Sequence, residues 1–211
     1  LEIVCGFQVF SVNIGTGTLT PVVSSAPPLG LSAPLDGLTA IADYDHDGDL
    51  DGIISANPQF GGGQPTQVQV YAWDLQTPMV LATSPVLNSI SFGTIGQATV
   101  ADFDGDNLIE IAVASQDSFY VFDDFQSGMN SLWTQSIFEG SGFNGSAAFD
   151  FDGNNAVDLV YSDEEFLYVF DGSTGNILFS DTCRGGTYME KPLVADVDGD
   201  GLIDLVAGRN W

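Results

Sequence analysis

Five aspartates stand at every second position from Asp43 to Asp51, in the stretch IADYDHDGDLDGIISA (residues 41–56), between two apolar segments. Like charges at this density repel, and aspartate is a poor strand former. A chain folds around such a stretch only if something draws the carboxylates together. The stretch also recurs. ADFDGDNLIEIAVAS begins at residue 101, FDFDGNNAVDLVYS at 149 and ADVDGDGLIDLVAG at 195. Counted from their first aspartates, Asp43, Asp102, Asp150 and Asp196, the copies lie 59, 48 and 46 residues apart. Such unequal spacing indicates supersecondary units with variable loops, not a tight solenoid.

Aligned, the four copies keep oxygen in fixed columns. Position 1 is Asp43, Asp102, Asp150 and Asp196; position 3 is Asp45, Asp104, Asp152 and Asp198. Position 5 is Asp47, Asp106, Asn154 and Asp200; position 9 is Asp51, Glu110, Asp158 and Asp204. Position 6, Gly48, Asn107, Asn155 and Gly201, holds the residue types that best tolerate a left-handed backbone. Position 7, Asp49, Leu108, Ala156 and Leu202, varies in chemistry, as expected if only its carbonyl is used. Unrelated surface turns would not keep oxygen in every column. A hard cation such as calcium, which takes six to eight oxygen ligands, accounts for the pattern with up to four Ca2+ ions, one per loop. The loop at 150–158 is expected to bind least tightly, because Asn154 offers a neutral oxygen.

An EF-hand shares the first half of this pattern, but it needs a Glu at position 12 and flanking helices. Position 12 here is Ile54, Val113, Tyr161 and Ala207. The segments after the loops, EIAVAS, DLVYS and DLVAG, are short and β-branched, which predicts strands. Short strands also precede the loops: LTAIA, QATVA, SAAF and PLVA. After the third loop, FLYVFDGSTGNILFS predicts two more, at 166–170 and 176–180, across a Gly-rich turn. Each unit therefore reads as strand, cation loop, strand, strand, turn, strand. The predicted fold is all-β, built of four-stranded antiparallel β-propeller blades.

The loops DYDHDGDLD, DFDGDNLIE, DFDGNNAVD and DVDGDGLID resemble the calcium loops of FG-GAP/VCBS-type repeats. That resemblance spans nearly the whole chain. It implies an integrin alpha-like propeller, with side chains at positions 1, 3, 5 and 9 and the position-7 carbonyl as calcium ligands. It also implies a secreted or cell-surface protein, and no particular activity. The expected division is a partial blade over 1–37, blades over 38–92, 93–143 and 144–190, and a partial blade over 191–211. LEIVCG matches the strand after a loop, with Glu2 at position 9, and the C-terminus provides only two strands of its blade. Three complete and two partial blades predict a segment of a six- to eight-bladed propeller, its ends completed by further polypeptide of the same or a neighbouring chain.

Composition narrows the partners. The formal net charge is -26, and Arg184, Lys191 and Arg209 are the three basic residues. No basic patch can form, which argues against nucleic acid. No apolar run reaches a membrane span, so membrane insertion by a helix is not expected. LEIVCGFQVF does not read as a signal peptide; it reads as the interior of a domain. Sixteen of the 29 acidic residues fall in the four loops, where cation binding explains them. The one histidine, His46, sits at position 4 of the first loop, and no nucleophile–base pair is evident. Trp73, Trp133 and Trp211 suit either sugar stacking or packing between blades, and Asn144-Gly145-Ser146 is a glycosylation tripeptide. Cys5 and Cys183, the two cysteines, leave a disulfide, an outside partner and free thiols all open.

Three functions fit these observations. The first is an extracellular calcium-stabilised propeller serving binding, adhesion or assembly, with calcium structural and a protein, a glycan or its own copies as partner. The second is the propeller domain of a carbohydrate-active enzyme such as a polysaccharide lyase, which rests on fold analogy. The third is a structural subunit of an extracellular filament.

Overall fold

The computed structural model describes residues 1–6, 8–24, 37–56, 67–88, 95–183 and 191–208. Arg184, Arg209 and Trp211 lie outside them. The described residues form eighteen strands, β1–β18 in chain order, and no helix. No helix there is long and apolar enough to cross a membrane.

The strands group into antiparallel sheets in chain order. β1 (Glu2–Cys5), β2 (Gln8–Asn13) and β3 (Thr18–Ser24) form the first. β4 (Gly37–Ala42), β5 (Asp51–Ala56), β6 (Gln67–Asp74) and β7 (Met79–Thr83) form the second. β9 (Thr99–Ala101), β10 (Glu110–Ala114), β11 (Ser118–Phe122) and β12 (Ser131–Ser136) form the third. β13 (Ala147–Phe149), β14 (Asp158–Ser162), β15 (Phe166–Phe170) and β16 (Ile177–Thr182) form the fourth, and β17 (Leu193–Ala195) with β18 (Asp204–Val206) the last. The predicted strand at 176–180 runs two residues further, because the ladder continues through Leu167↔Asp181 and Phe166↔Thr182.

One strand was not expected. β8 (Leu87–Asn88) pairs with the start of β6 and continues the line of β7. Pro85, which has no N–H to give a ladder, lies between the two pieces. Ser84 spans the break: its N–H donates to the Val70 carbonyl at 2.9 Å, and its hydroxyl accepts the Val70 N–H at 2.9 Å.

The strand leaving each of the first three acidic loops is buried along its whole length, in β5, β10 and β14 alike. Alternate side chains enter different cores. Ile54 and Ala56 pack with Val9 of the first sheet, while Ile53 packs with Ile111 and Val113 of the third. Ala112 and Ala114 pack with Leu159, Tyr161 and Phe170 of the fourth. Both faces are covered, which is why these strands read as apolar runs instead of alternating. The sheets thus stack face to face in sequence, and their first strands lie side by side: β1 by β4, β4 by β9, β9 by β13 and β13 by β17.

A feature invisible in the sequence repeats in four sheets. The ladder between the last two strands slips at Val9/Phe10, Ala72/Trp73, Val121/Phe122 and Val169/Phe170. The bulge bends the strand just before the turn and increases its twist. Exposed apolar side chains gather at the two ends of the stack, with Leu1, Ile14 and Leu19 at one and Phe179, Leu193 and Val206 at the other.

Candidate metal centres

Each acidic segment is a turn wound on its own carboxylates. In loop 2 (102–110), Asp102 Oδ1 accepts the N–H groups of Gly105 at 2.6 Å and Asp106 at 3.1 Å, and its Oδ2 accepts that of Asn107 at 2.9 Å. Loop 3 (150–158) repeats this with Asp150 and the amides of Gly153, Asn154 and Asn155. In loop 4 (196–204), Asp196 takes those of Gly199 and Gly201. Winding the chain this tightly needs left-handed residues. Position 6 supplies one, as expected, at Gly48, Asn107, Asn155 and Gly201, with φ from 70° to 98°. Position 4 supplies a second, at Gly105, Gly153 and Gly199 and, in loop 1 (43–51), at His46, whose φ is 59°. The glycines at position 4 were the visible sign of that requirement. His46 itself is exposed.

A second recurring bond closes each loop. The position-9 carboxylate accepts the position-2 N–H: Asp51 from Tyr44 at 2.9 Å, Glu110 from Phe103 at 2.6 Å, Asp158 from Phe151 at 3.0 Å and Asp204 from Val197 at 3.0 Å. In loops 1 and 2 the position-2 side chain points the other way, into the contact with the next sheet. Tyr44 and Phe103 are fully buried there, in successive cores, and the Tyr44 hydroxyl donates to the Asp123 carbonyl at 3.2 Å. At the end of the stack Val197 is exposed.

The structure brings positions 1, 3 and 9 together in every loop. Oxygens of Asp43, Asp45 and Asp51 lie within 4.8 Å of one another, as do those of Asp102, Asp104 and Glu110, of Asp150, Asp152 and Asp158, and of Asp196, Asp198 and Asp204. These groups could hold a metal ion. Position 5 is outside them. Its Oδ1 instead accepts the position-7 N–H: Asp47 from Asp49 at 3.0 Å, Asp106 from Leu108 at 2.8 Å, Asn154 from Ala156 at 2.7 Å and Asp200 from Leu202 at 2.8 Å. Asp49 also differs from its column: its side chain groups with Asp51 and with Asp74 at the end of β6. Asp74, missed in the sequence, caps the following turn, accepting the N–H groups of Gln76 and Thr77 and the Thr77 hydroxyl. The signal was an aspartate after each third strand, as in YAWD, YVFDD and YVFDG.

The carboxylates strain against one another. Burial, aided by the charges of Asp104, Asp102 and Asp106, pushes Glu110 up to about 8 in the metal-free chain, although the Phe103 N–H opposes it. Burial likewise raises Asp51 to about 6, with Asp45 and Asp49 adding to the rise. Asp158 is raised by burial, against the N–H groups of Phe151 and Gly172. Glu110 Oε1, Asp43 Oδ1 and Asp49 Oδ1 are buried without a hydrogen-bond partner. Buried charge of one sign with open lone pairs is costly unless a cation completes it.

Other sequence candidates resolve differently. Trp73 and Trp133 are buried in the cores between sheets, and Trp133 Nε1 donates to the Gly172 carbonyl at 2.6 Å, so neither offers a face to a sugar. The Asn144 amide is buried and donates to the Glu139 carboxylate and to the Ser162 carbonyl, which leaves no room for a glycan. Cys5 and Cys183 are free thiols, and Cys183 Sγ donates to the Gly208 carbonyl at 3.0 Å.

No family model matches the chain, and no curated protein does. Among solved structures it resembles a rhamnogalacturonan lyase of Bacillus licheniformis, at 19% identity and a TM-score of 0.59, over 95% of this chain and 47% of that one. It resembles the exotype rhamnogalacturonan lyase YesX at 19% identity and a TM-score of 0.55, over 95% of this chain and 46% of that one. It also resembles Sqt1 of Saccharomyces cerevisiae at 12% identity and a TM-score of 0.61, over 96% of this chain and 50% of that one. The chain thus spans half or less of each of these neighbours. Two are lyases by name and the third is not, so the likeness is one of fold.

Proposed function

We propose that the chain is a segment of a calcium-stabilised β-propeller of the FG-GAP/VCBS kind, serving outside the cell as a binding, adhesion or assembly module. The observation that carries the calcium reading is Glu110. It is fully buried, one of its oxygens has no partner, and it faces the carboxylates of Asp102 and Asp104. An all-oxygen donor set without histidine or cysteine suits a hard cation. Oxygen-only loops of extracellular modules typically hold calcium at about 10⁻⁴–10⁻³ M, which fits a protein exposed to extracellular calcium. The propeller reading is supported by repeated antiparallel sheets stacked in sequence with their first strands adjacent. The ion is structural in this reading: it neutralises loops that carry the contacts between sheets.

The partner is a protein, a glycan or a second copy. Exposed apolar side chains on the end sheets favour completion of those sheets by more polypeptide, of this chain or a neighbour. Metal analysis after dialysis against calcium, then against a chelator, tests the assignment: bound calcium that the chelator removes with loss of thermal stability supports it, and no bound calcium refutes it. A second reading, a domain of a carbohydrate-cleaving enzyme, takes its support from the two neighbours named as lyases. Release of unsaturated sugars from rhamnogalacturonan would establish it; binding without cleavage favours the module.

A further inference from the structure

Loops 2 and 3 differ from the other loops in how they meet. The N–H of Val157, at position 8 of loop 3, donates to the main-chain carbonyl of Asp102, the first residue of loop 2, at 2.9 Å. Gly105 of loop 2 lies against Ala156 of loop 3, where an added Cβ would sit 3.7 Å from the Ala156 Cβ. Gly172, after β15, closes the junction. A Cβ there would collide with the carbonyl oxygens of both Phe103 and Val157. Its N–H faces Asp158 Oδ1 at 3.4 Å, and its carbonyl accepts Trp133 Nε1. Among the described residues no backbone bond joins loop 1 to loop 2 or loop 3 to loop 4. Loop 1 meets the next sheet through the Tyr44 side chain, against Phe125 and the Asp123 carbonyl, in the core that Ile109 of loop 2 also packs against, with no main-chain bond between the two loops.

We propose that loops 2 and 3 bind their two cations as one positively cooperative unit, while loops 1 and 4 bind independently. This rests on the calcium reading above. A cation in loop 3 fixes its backbone through position 9, and with it the Val157 N–H that holds Asp102. Loop 2 then has less ordering left to do, and the converse holds for a cation in loop 2. Repulsion between the two ions opposes the coupling, but salt screens it over about 8 Å at physiological ionic strength. Coupling between sites is reciprocal: each ion must raise the affinity for the other by the same factor, typically fivefold or more.

Hydrogen exchange of the 211-residue chain, followed by mass spectrometry across a calcium titration in 0.15 M salt, reads each loop separately. The amides of Gly105, Asp106 and Asn107 report loop 2, and those of Gly153, Asn154 and Asn155 report loop 3. Asp150→Asn, which disables loop 3 and keeps one of its two acceptor oxygens, should shift the loop 2 midpoint to about fivefold higher calcium or more. Asp102→Asn should shift the loop 3 midpoint by the same factor. Asp43→Asn and Asp196→Asn should move neither by more than about twofold. Gly172→Ala removes no carboxylate and should weaken the coupling between the two loops. An unmoved loop 2 midpoint in Asp150→Asn, a shift to lower calcium, or equal shifts from all four single-loop variants would overturn the proposal. No calcium-dependent protection in any loop of the parent chain would overturn the calcium reading itself, a different and recognisable failure.

Discussion

Loops 2 and 4 are nearly the same sequence, DFDGDNLIE and DVDGDGLID, and they are wound alike. Both use the position-1 carboxylate to gather the amides of positions 4 and 6, and both tie position 9 to the position-2 N–H. Their surroundings differ. Loop 2 lies between complete sheets; Glu110 and Phe103 are fully buried. Loop 4 joins the two strands of the last sheet; Asp204 is half-buried and Val197 exposed. Burial between those sheets, with the charges of Asp104, Asp102 and Asp106, pushes Glu110 up to about 8. The turn is therefore a local property of its aspartates and left-handed residues. The electrostatic strain that makes a cation valuable comes from the neighbouring sheets.

The largest test of that contrast is a pair of ligand deletions. Asp102→Ala removes a half-buried carboxylate, three backbone acceptor contacts and the cation beside the buried Glu110, and should cost about 2–4 kcal/mol in calcium. Asp196→Ala removes an exposed carboxylate with two such contacts and should cost about half as much. Urea unfolding of both variants in calcium reads the difference. Equal costs would show that the loop alone, not its surroundings, sets the value of the ion.

A pH series sharpens the same point. Glu110 is raised from 4.5 to about 8 in the metal-free fold, so between those values the folded chain holds a proton that the unfolded chain has released. That contribution to stability is complete below about pH 4.5 and is lost as pH rises through about 8. Calcium acts oppositely, since it needs the carboxylate charged. The gap between melting temperatures with and without calcium should widen from about pH 5.5 to about pH 8.5. Glu110→Gln should flatten most of that widening; an undiminished widening would place the titrating group elsewhere.

Smaller effects follow at positions 7 and 4. Leu108→Ala keeps the main chain and the bond to Asp106, so calorimetry should find calcium affinity within about twofold of the parent. A loss as large as that of Asp102→Ala would mean the ligand register is wrong. His46→Gly relieves a left-handed non-glycine residue and should raise stability by about 0.5–1 kcal/mol. Thermal denaturation checks it, and a loss would show that the imidazole makes a contact worth keeping.

Much of this architecture was legible because the four acidic loops keep oxygen in fixed columns of the sequence. The strands flanking them were readable for the same reason: β5, β10 and β14 begin at position 9. What stayed hidden depends on residues far apart in sequence. The bulge before Asp74 and Asp171 leaves no local mark, and Pro85 splits a strand whose second half is too short to show periodicity. The sequence favoured packing between blades over sugar stacking for the tryptophans, and the stacking of sheets puts Trp73 and Trp133 in the core. Positions 1, 3 and 5 look identical in the sequence, and in the fold each accepts amides of its own loop, position 5 from position 7.

The central claim is that these loops hold calcium and that the ion supports the fold. The direct measurement is the melting temperature of the 211-residue chain as free calcium is raised from chelated to millimolar. At ten times the dissociation constant each ion adds about 1.4 kcal/mol. Filling all the loops should therefore raise the melting temperature by about 10–20 °C. Magnesium at the same concentration should do much less, since it demands a smaller, stricter octahedral site. A melting temperature that does not move with calcium would contradict the account.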